Sequence, residues 1–163
     1  LGSYLPSFTY GVNLGLTYKN LELTAALMGQ TGNKILNRKR GEIIWTSDGN
    51  LDADLAKNRW HGEGTSNKYP SSKGLRKGWN QKMSDYFVED GSFFRVQNVQ
   101  LAYNLKSKEL FGYKMPDVRI SFTADRPLTM FKYNGFNPEM DNGIDTQTYP
   151  IPAVYTVGLN VKF

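Results

Sequence analysis

The 163 residues contain no cysteine and a single histidine, His61. The missing cysteine is compatible with a cell-envelope location without establishing one, because a reducing cytosol does not forbid thiols. One histidine leaves a Ser-His-Asp triad or a histidine metal cluster little to build on. Neither a P-loop nor a GxGxxG segment occurs. The chain therefore reads as a non-enzyme without a cofactor. Long apolar runs are missing too: none approaches the roughly 20 residues of a membrane helix, which excludes a helical membrane protein. A membrane β-barrel stays open, since its alternating strands escape hydropathy averages. No signal peptide opens the chain at Leu1-Gly2-Ser3, so these residues are expected to lie inside a longer protein.

Aromatics are plentiful. Ten Tyr, nine Phe and three Trp stand beside 16 Gly in a chain of negative mean hydropathy. That balance argues against a helical bundle, and against disorder, which is poor in aromatics. Net charge is +5 and the isoelectric point about 9.3, values that nucleic-acid binders share. The basic residues, however, are spread through a loop-like stretch and form no stripe on one element, so no nucleic-acid partner is expected.

Strict alternation is the strongest local signal. Phe8, Tyr10, Val12, Leu14, Leu16 and Tyr18 alternate with Thr9, Gly11, Asn13, Gly15 and Thr17. Successive strand side chains point to opposite faces, so one face is apolar and the other small and polar. The length fits the roughly 9–11 residues of a bilayer-crossing strand. Lys19-Asn20 predicts a tight turn, and a second strand runs from Leu21 to about Thr31. From about residue 32 to 85 periodicity is weak, which predicts a long loop. A third strand is expected from Tyr86 to Leu105. Phe94 and Val96 share one parity in it, whereas Val99, Leu101, Tyr103 and Leu105 share the other, so a β-bulge is expected at Gln97-Asn98. Residues 106–115 read as a short helical turn before Pro116. A fourth strand alternates through Val118, Ile120, Phe122 and Ala124. Residues 126–152 read as a second irregular loop. The last strand carries Tyr155, Val157, Leu159, Val161 and Phe163.

The expected fold is all-β: five antiparallel transmembrane strands whose connections alternate between short and long, as in outer-membrane barrels. Aromatics at strand ends suit the two membrane interfaces. Bacterial single-chain barrels have an even number of strands from about 8 upward, and open edges in lipid cost several kcal/mol per unsatisfied group. Five strands therefore need the remainder of the same barrel. Two rivals fit the same alternation. One is a soluble β-sandwich that binds carbohydrate; the other is an adhesive outer-membrane protein.

Several segments resemble the SusC/RagA family of TonB-dependent outer-membrane transporters. PSFTYGVNLGLTYKNLELTAALMGQTGNKILN is similar to the family's "Pro-x-Phe-Thr-Tyr-Gly … Tyr-Lys … Gly-x-x-Gly-Asn" hairpin, and RWHGEGTSNKYPS to its "Arg-Trp … Gly-x-Gly-Thr-Ser" loop. SDYFVEDGSFFRVQNVQLAYNL is the most specific match, to "Val-Glu-Asp-Gly-Ser-(Tyr/Phe)-x-Arg-x-x-Asn-(Val/Ile)". ADRPLTMFKYNGFNPEM resembles a "Gln-Asn-Leu-x-x-x-Thr-x-Tyr-x-Gly-x-Asp-Pro-Glu" segment, with Asp125-Arg126-Pro127 departing from the pattern. YPIPAVYTVGLNVKF resembles the family's terminus, with Ala153 in place of its usual Arg. The resemblance covers nearly the whole chain. It implies that residues 1–163 are the carboxy-terminal segment of a barrel of about 22 strands, with the plug and the other strands outside the chain. It further implies TonB-coupled import, through the absent amino-terminal region, in the outer membrane of a Gram-negative bacterium. The implied partners are a SusD-like surface lipoprotein acting as lid, the lipid bilayer and lipopolysaccharide. The cargo would be oligosaccharides, or oligopeptides as in related branches.

Four aromatics of the first long loop, Trp45, Trp60, Tyr69 and Trp79, are candidates for stacking on sugar rings or anchoring the lid; packing within the loop itself is the bland alternative. Asp48, Asn50, Asp52 and Asp54 place oxygens at alternate positions, a weak hint of Ca²⁺. The EF-hand pattern fails, with Ala53 where Gly is needed and Arg59 where Glu is needed, so a solvated acidic turn is the alternative. Arg38, Lys39 and Arg40 could meet anionic lipopolysaccharide or simply be exposed. Glu89-Asp90-Gly91 reads as a turn with Asp90 capping the backbone and Gly91 supplying φ > 0. Phe163 on the lipid-facing parity resembles the signal read by the barrel-assembly machinery; interfacial anchoring would place it there as well.

Overall fold

The computed structural model describes residues 2–38, 53–71, 73, 82–106, 109–110, 113–114, 116–146 and 148–162. In chain order the strands are β1 (Phe8–Tyr18), β2 (Leu21–Thr31), β3 (Lys34–Asn37), β4 (Val88–Asp90), β5 (Phe93–Leu105), β6 (Glu109–Leu110), β7 (Tyr113–Lys114), β8 (Asp117–Phe131), β9 (Ile144–Asp145) and β10 (Val154–Lys162). A short helix, α1, spans Ala53–Asn58, and a 3-10 turn covers Asp85–Phe87.

A five-stranded antiparallel meander, in the order β1-β2-β5-β8-β10, forms the body of the structure. Its register stacks like parity on like parity. Leu16 faces Leu23, Leu23 faces Leu101, Leu101 faces Phe122, and Phe122 faces Val157. The neighbouring row runs Leu14, Ala25, Val99, Ala124, Tyr155. One face of the sheet is thus apolar across all five strands. Among the described residues nothing covers it: Leu14 is 51% exposed, Leu159 69% and Val157 76%. A sandwich would bury this face under a second layer, and the described residues contain none.

The opposite face is polar and cross-linked. Arg119 on β8 pairs with Glu22 on β2 at 2.8 Å, and Asn104 between them donates to Glu22 at 2.7 Å. Asn98 donates to Asp125 at 2.6 Å and Gln100 to Thr123 at 3.0 Å. Pairs of this kind across strands fix register as well as satisfying polar groups.

The expected bulge is present. The β2–β5 register steps between Ala26/Leu27, and the β5–β8 register between Val96/Asn98. Gln97 is the extra residue of β5 against β2, whereas on the other side it stands against two unpaired residues of β8, Arg126 and Pro127, with Arg126 at φ +51°. By absorbing one residue, the bulge keeps Phe94 and Val96 on the same apolar face as Val99 and Leu101. Pro127 sits in this irregularity, where a missing N–H costs no ladder bond.

Four expectations need correction. The third strand does not run unbroken from residue 86: Asp85–Phe87 is a 3-10 turn, β4 belongs to another sheet, and β5 begins only at Phe93. Among the described residues of 106–115, β6 and β7 pair as an antiparallel ribbon of their own where a helical turn was expected. The second loop does not start at residue 126, since β8 continues to Phe131. Gly91 has no positive φ; a Cβ there would lie 2.3 Å from Asn33 Nδ2 and 2.9 Å from Ile35 Cδ1, so close approach is what requires glycine.

Both long connections emerge at one end of the meander, where they share a small sheet ordered β4-β3-β9. β3 pairs antiparallel with β4 and parallel with β9. The apolar core of the described structure lies here rather than under the large sheet. Leu55, Tyr69 and Phe87 are buried together, with Leu36 packed against them.

Candidate functional site

The end of the meander that carries the small sheet is the candidate site, because both long connections meet there and are held by polar contacts of long sequence separation. Asn37, at the end of β3, donates to Glu89 Oε1 at 3.1 Å and to the Asn134 carbonyl at 3.0 Å. Glu89 Oε2 in turn accepts the Asn134 backbone N–H at 2.7 Å. Three stretches far apart in the chain are thereby joined through one side-chain amide and one carboxylate. Tyr133 donates to Asp145 Oδ2 in a buried contact, while Asp145 Oδ1 accepts the Thr148 N–H at 3.0 Å. Gly135 allows this arrangement, since a Cβ there would lie 2.1 Å from the Tyr133 ring.

Arg95 ties the second connection to the sheet itself. It projects from the polar side of β5, opposite Met28 and Thr129. Its Nη1 donates to Glu139 Oε2 at 2.7 Å and its Nε to Thr129 Oγ1 at 3.2 Å. The guanidinium lies 4.9 Å from the Phe93 ring centroid, a cation–π distance. Arg95 is only 3% exposed, so these contacts are made largely out of water.

The first connection carries a second cluster. Asp54 on α1 accepts from Lys68 Nζ at 2.8 Å, from the Tyr69 hydroxyl and from Asn58 Nδ2. The Lys68 bond, then the Tyr69 hydroxyl, holds the Asp54 carboxyl at about 2, well below its usual range. Lys68 is raised by the same contact with Asp54. Asp90 is lowered chiefly by the Ser92 hydroxyl, which donates at 2.7 Å.

Of the aromatic candidates, Trp45 and Trp79 lie outside the described residues. Trp60 is 46% exposed and its N–H bonds the Tyr69 carbonyl at 2.9 Å. Tyr69 is 5% exposed, its ring packed into the loop core with Leu55 and Phe87. The structure thus joins these two backbones and presents one ring to solvent. Asp48, Asn50 and Asp52 lie outside the described residues, as do Lys39, Arg40 and Phe163. Asp54 faces a lysine and a phenol, and among the described residues no group of three or more His, Asp or Glu side chains is placed to hold a metal. Asn37, Arg95, Tyr133, Glu139 and Asp145 were not singled out from the sequence, and Glu89 was read only as part of a turn. The signal for Arg95 was there: a lone arginine interrupts an otherwise apolar and amide-rich strand.

No family model matches the chain. The TonB-dependent receptor P3 of Formosa agariphila is 30% identical over 175 residues, covering all of this chain and 17% of its own length. SusC of Bacteroides thetaiotaomicron, also a TonB-dependent receptor, is 34% identical over 87 residues, or 53% of this chain and 9% of its own. The solved structure of the RagAB peptide transporter superimposes on 99% of this chain with a TM-score of 0.79 at 26% identity, using 18% of its own chain. Sequence and fold agree over the same span.

The chain belongs to the SusC/RagA family of TonB-dependent receptors.

Its relatives are receptors and transporters, not enzymes. The chain spans less than a fifth of the length of the curated relatives that match all of it. The SusC/RagA segments recognised in the sequence supply most of the site, although Asp54 and Asp145 lie outside them. Asn33 and Asn37 come from the hairpin segment, Glu89 to Arg95 from the most specific segment, and Tyr133 to Glu139 from the Asn-Pro-Glu segment.

Proposed function

We propose that residues 1–163 supply wall and outer loops to an outer-membrane importer of a Gram-negative bacterium, a barrel of about 22 strands whose plug and TonB-contacting region are contributed by the rest of the protein. The observation that carries this reading is the apolar face spanning five strands, uncovered on one side, with a knitted loop platform at one end. Lipid covers such a face without a second protein layer. The polar face then lines the lumen, and the platform surrounds the mouth. A SusD-like lipoprotein on that mouth acts as the lid, and Trp60 is an aromatic it presents to cargo or lid. The chain carries out no chemistry of its own. Transport follows from lid and plug moving against a fixed wall.

The cargo in this proposal is oligosaccharide. Oligopeptide is the second reading, favoured by the similarity to a structure described as a peptide importer. The test is uptake by cells lacking the full-length receptor, supplied with labelled oligosaccharides or labelled oligopeptides. Loss of oligosaccharide uptake alone supports the first reading and loss of peptide uptake alone the second. Unchanged uptake of both, with an intact outer membrane, favours the adhesive reading.

A further inference from the structure

At the loop end of the large sheet an open depression of about 390 Å³ interrupts the surface. Tyr10, Thr31, Ser92, Phe94, Met130 and Lys132 line it. In the register, Tyr10 pairs with Gly29, Gly29 with Phe94, and Phe94 with Met130, so these residues share the apolar parity. Thr31 lies opposite Phe8 on that parity, while Ser92 and Lys132 stand two residues beyond Phe94 and Met130. Gln30, Phe93 and Phe131, on the opposite parity, add to the lining, so the depression sits at the outer edge of the sheet, and its Tyr10, Phe94 and Met130 side lies on the face that lipid covers in the proposed barrel.

Its chemistry is split. Phe94 and Met130 give an apolar floor. Around it stand three donors, the Tyr10 phenol, the Thr31 hydroxyl and the Lys132 ammonium, and none forms a side-chain hydrogen bond or ion pair with another described residue. The one carboxylate in the lining, Asp90, accepts from both the Ser92 N–H and its hydroxyl, and Lys34 and Lys132 together offset its charge. Within the lining Lys132 and Asp90 balance in charge, and Lys34 nearby adds a positive one; hydroxyl and ammonium donors over an apolar floor suit an anionic headgroup on an acyl chain.

The geometry points to a binding site for the phosphate of an outer-leaflet glycolipid, with Lys132, Tyr10 and Thr31 holding the phosphate and Phe94 and Met130 the first part of the acyl chain. This rests on the membrane reading of the proposed function. The experiment uses the full-length receptor in phosphatidylcholine nanodiscs, offered either diphosphoryl lipid A or the same lipid with its phosphates removed. Lipid retained on the receptor is counted by native mass spectrometry. The expected result is preferential retention of the phosphorylated lipid. Lys132→Gln lowers retention about fivefold, the worth of one lysine near an anionic surface, and Lys132→Arg restores it. The dephosphorylated lipid is unaffected by either change. Equal retention of the two lipids by the unaltered receptor overturns the proposal, as does equal retention of phosphorylated lipid by Lys132→Gln. Either result leaves the barrel reading standing. A receptor that fails to enter the nanodisc at all sinks the barrel reading and this site with it.

Discussion

Arg95 brings a permanent charge to a place nearly closed to water, and its Nη1 and Nε are met by Glu139 and Thr129 while its buried Nη2 has no hydrogen-bond partner among the described residues. Losing one partner of a fully buried ion pair costs about 3–5 kcal/mol. Glu139, however, is 41% exposed at its side chain, so water relieves part of the loss. We expect Glu139→Gln to weaken docking of the 132–146 segment by about 1.5–3 kcal/mol, the range for hydrogen bonds to charged groups. Hydrogen exchange on the full-length receptor reads this directly. Amides of 132–146 should exchange faster while those of β1 and β2 stay unchanged, and no acceleration would mean that Arg95 does not hold the segment. Asp54 gives a prediction in pH. Its folded value, about 2, lies below the ordinary carboxylate value, so its contribution is present above about pH 4 and fades as pH falls toward 2. Radical footprinting of Tyr69 should stay flat from pH 7 to about 5 and rise below about 4. A rise already near pH 6 would assign the contact to some other group.

Strands show where side-chain alternation carries information and where it stops. At mid-strand, Leu14 stands half-exposed on the uncovered apolar face, and Leu14→Arg in the full-length receptor should cost roughly 2–4 kcal/mol if that face meets the bilayer centre. Normal insertion of the variant, seen as unchanged heat-modifiable gel mobility, would remove the lipid-facing assignment. Glycines on these strands divide sharply. A Cβ at Gly29 would lie 2.4 Å from the Tyr10 ring and 2.7 Å from the Phe93 carbonyl oxygen, whereas at Gly15 nothing lies within 4 Å. Gly29→Ala should therefore destabilise by about 1–3 kcal/mol through overpacking, and Gly15→Ala should change stability by no more than about 0.5 kcal/mol. Equal effects in urea titrations of folded receptor would show that the Tyr10 contact is not rigid. The same alternation made β1, β2 and the bulge at Gln97 legible in sequence, because each had one face to bury or wet. It misled at residues 86–90, where period-two patterning runs on through Gly91-Ser92 although the hydrogen-bonding partner changes from β3 to β2. It could not reach β3, β4 or β9, since two to four residues carry no period, and their pairing is set by contacts as distant as Asn37 with Asn134. The site was half legible for the same reason. Most of its residues stand in segments recognisable by resemblance, but their roles arise only when three distant stretches meet.

At the scale of the whole molecule, the five-stranded sheet lacks what a free-standing domain needs. Its described core is confined to the loop end, around Leu55, Tyr69 and Phe87, while its largest apolar surface faces outward across all five strands. β1 pairs only with β2 and β10 only with β8, so each leaves one edge unpaired among the described residues. Exposed apolar patches beyond a few hundred Å² drive association, and long unpaired edges template it. The 163 residues expressed alone, without detergent, should therefore form polydisperse aggregates by light scattering. The same residues within the full-length receptor should be protease-resistant in the outer membrane. Detergent alone should not rescue the isolated chain to a monodisperse species, because it covers the apolar face but leaves both edges without hydrogen-bond partners. A soluble, monodisperse 163-residue chain would show that the face folds onto a layer of its own. The sandwich reading would then displace the barrel wall. Rescue by detergent alone would instead show that lipid contact, and not closure of the sheet, dominates the stability of this part of the barrel.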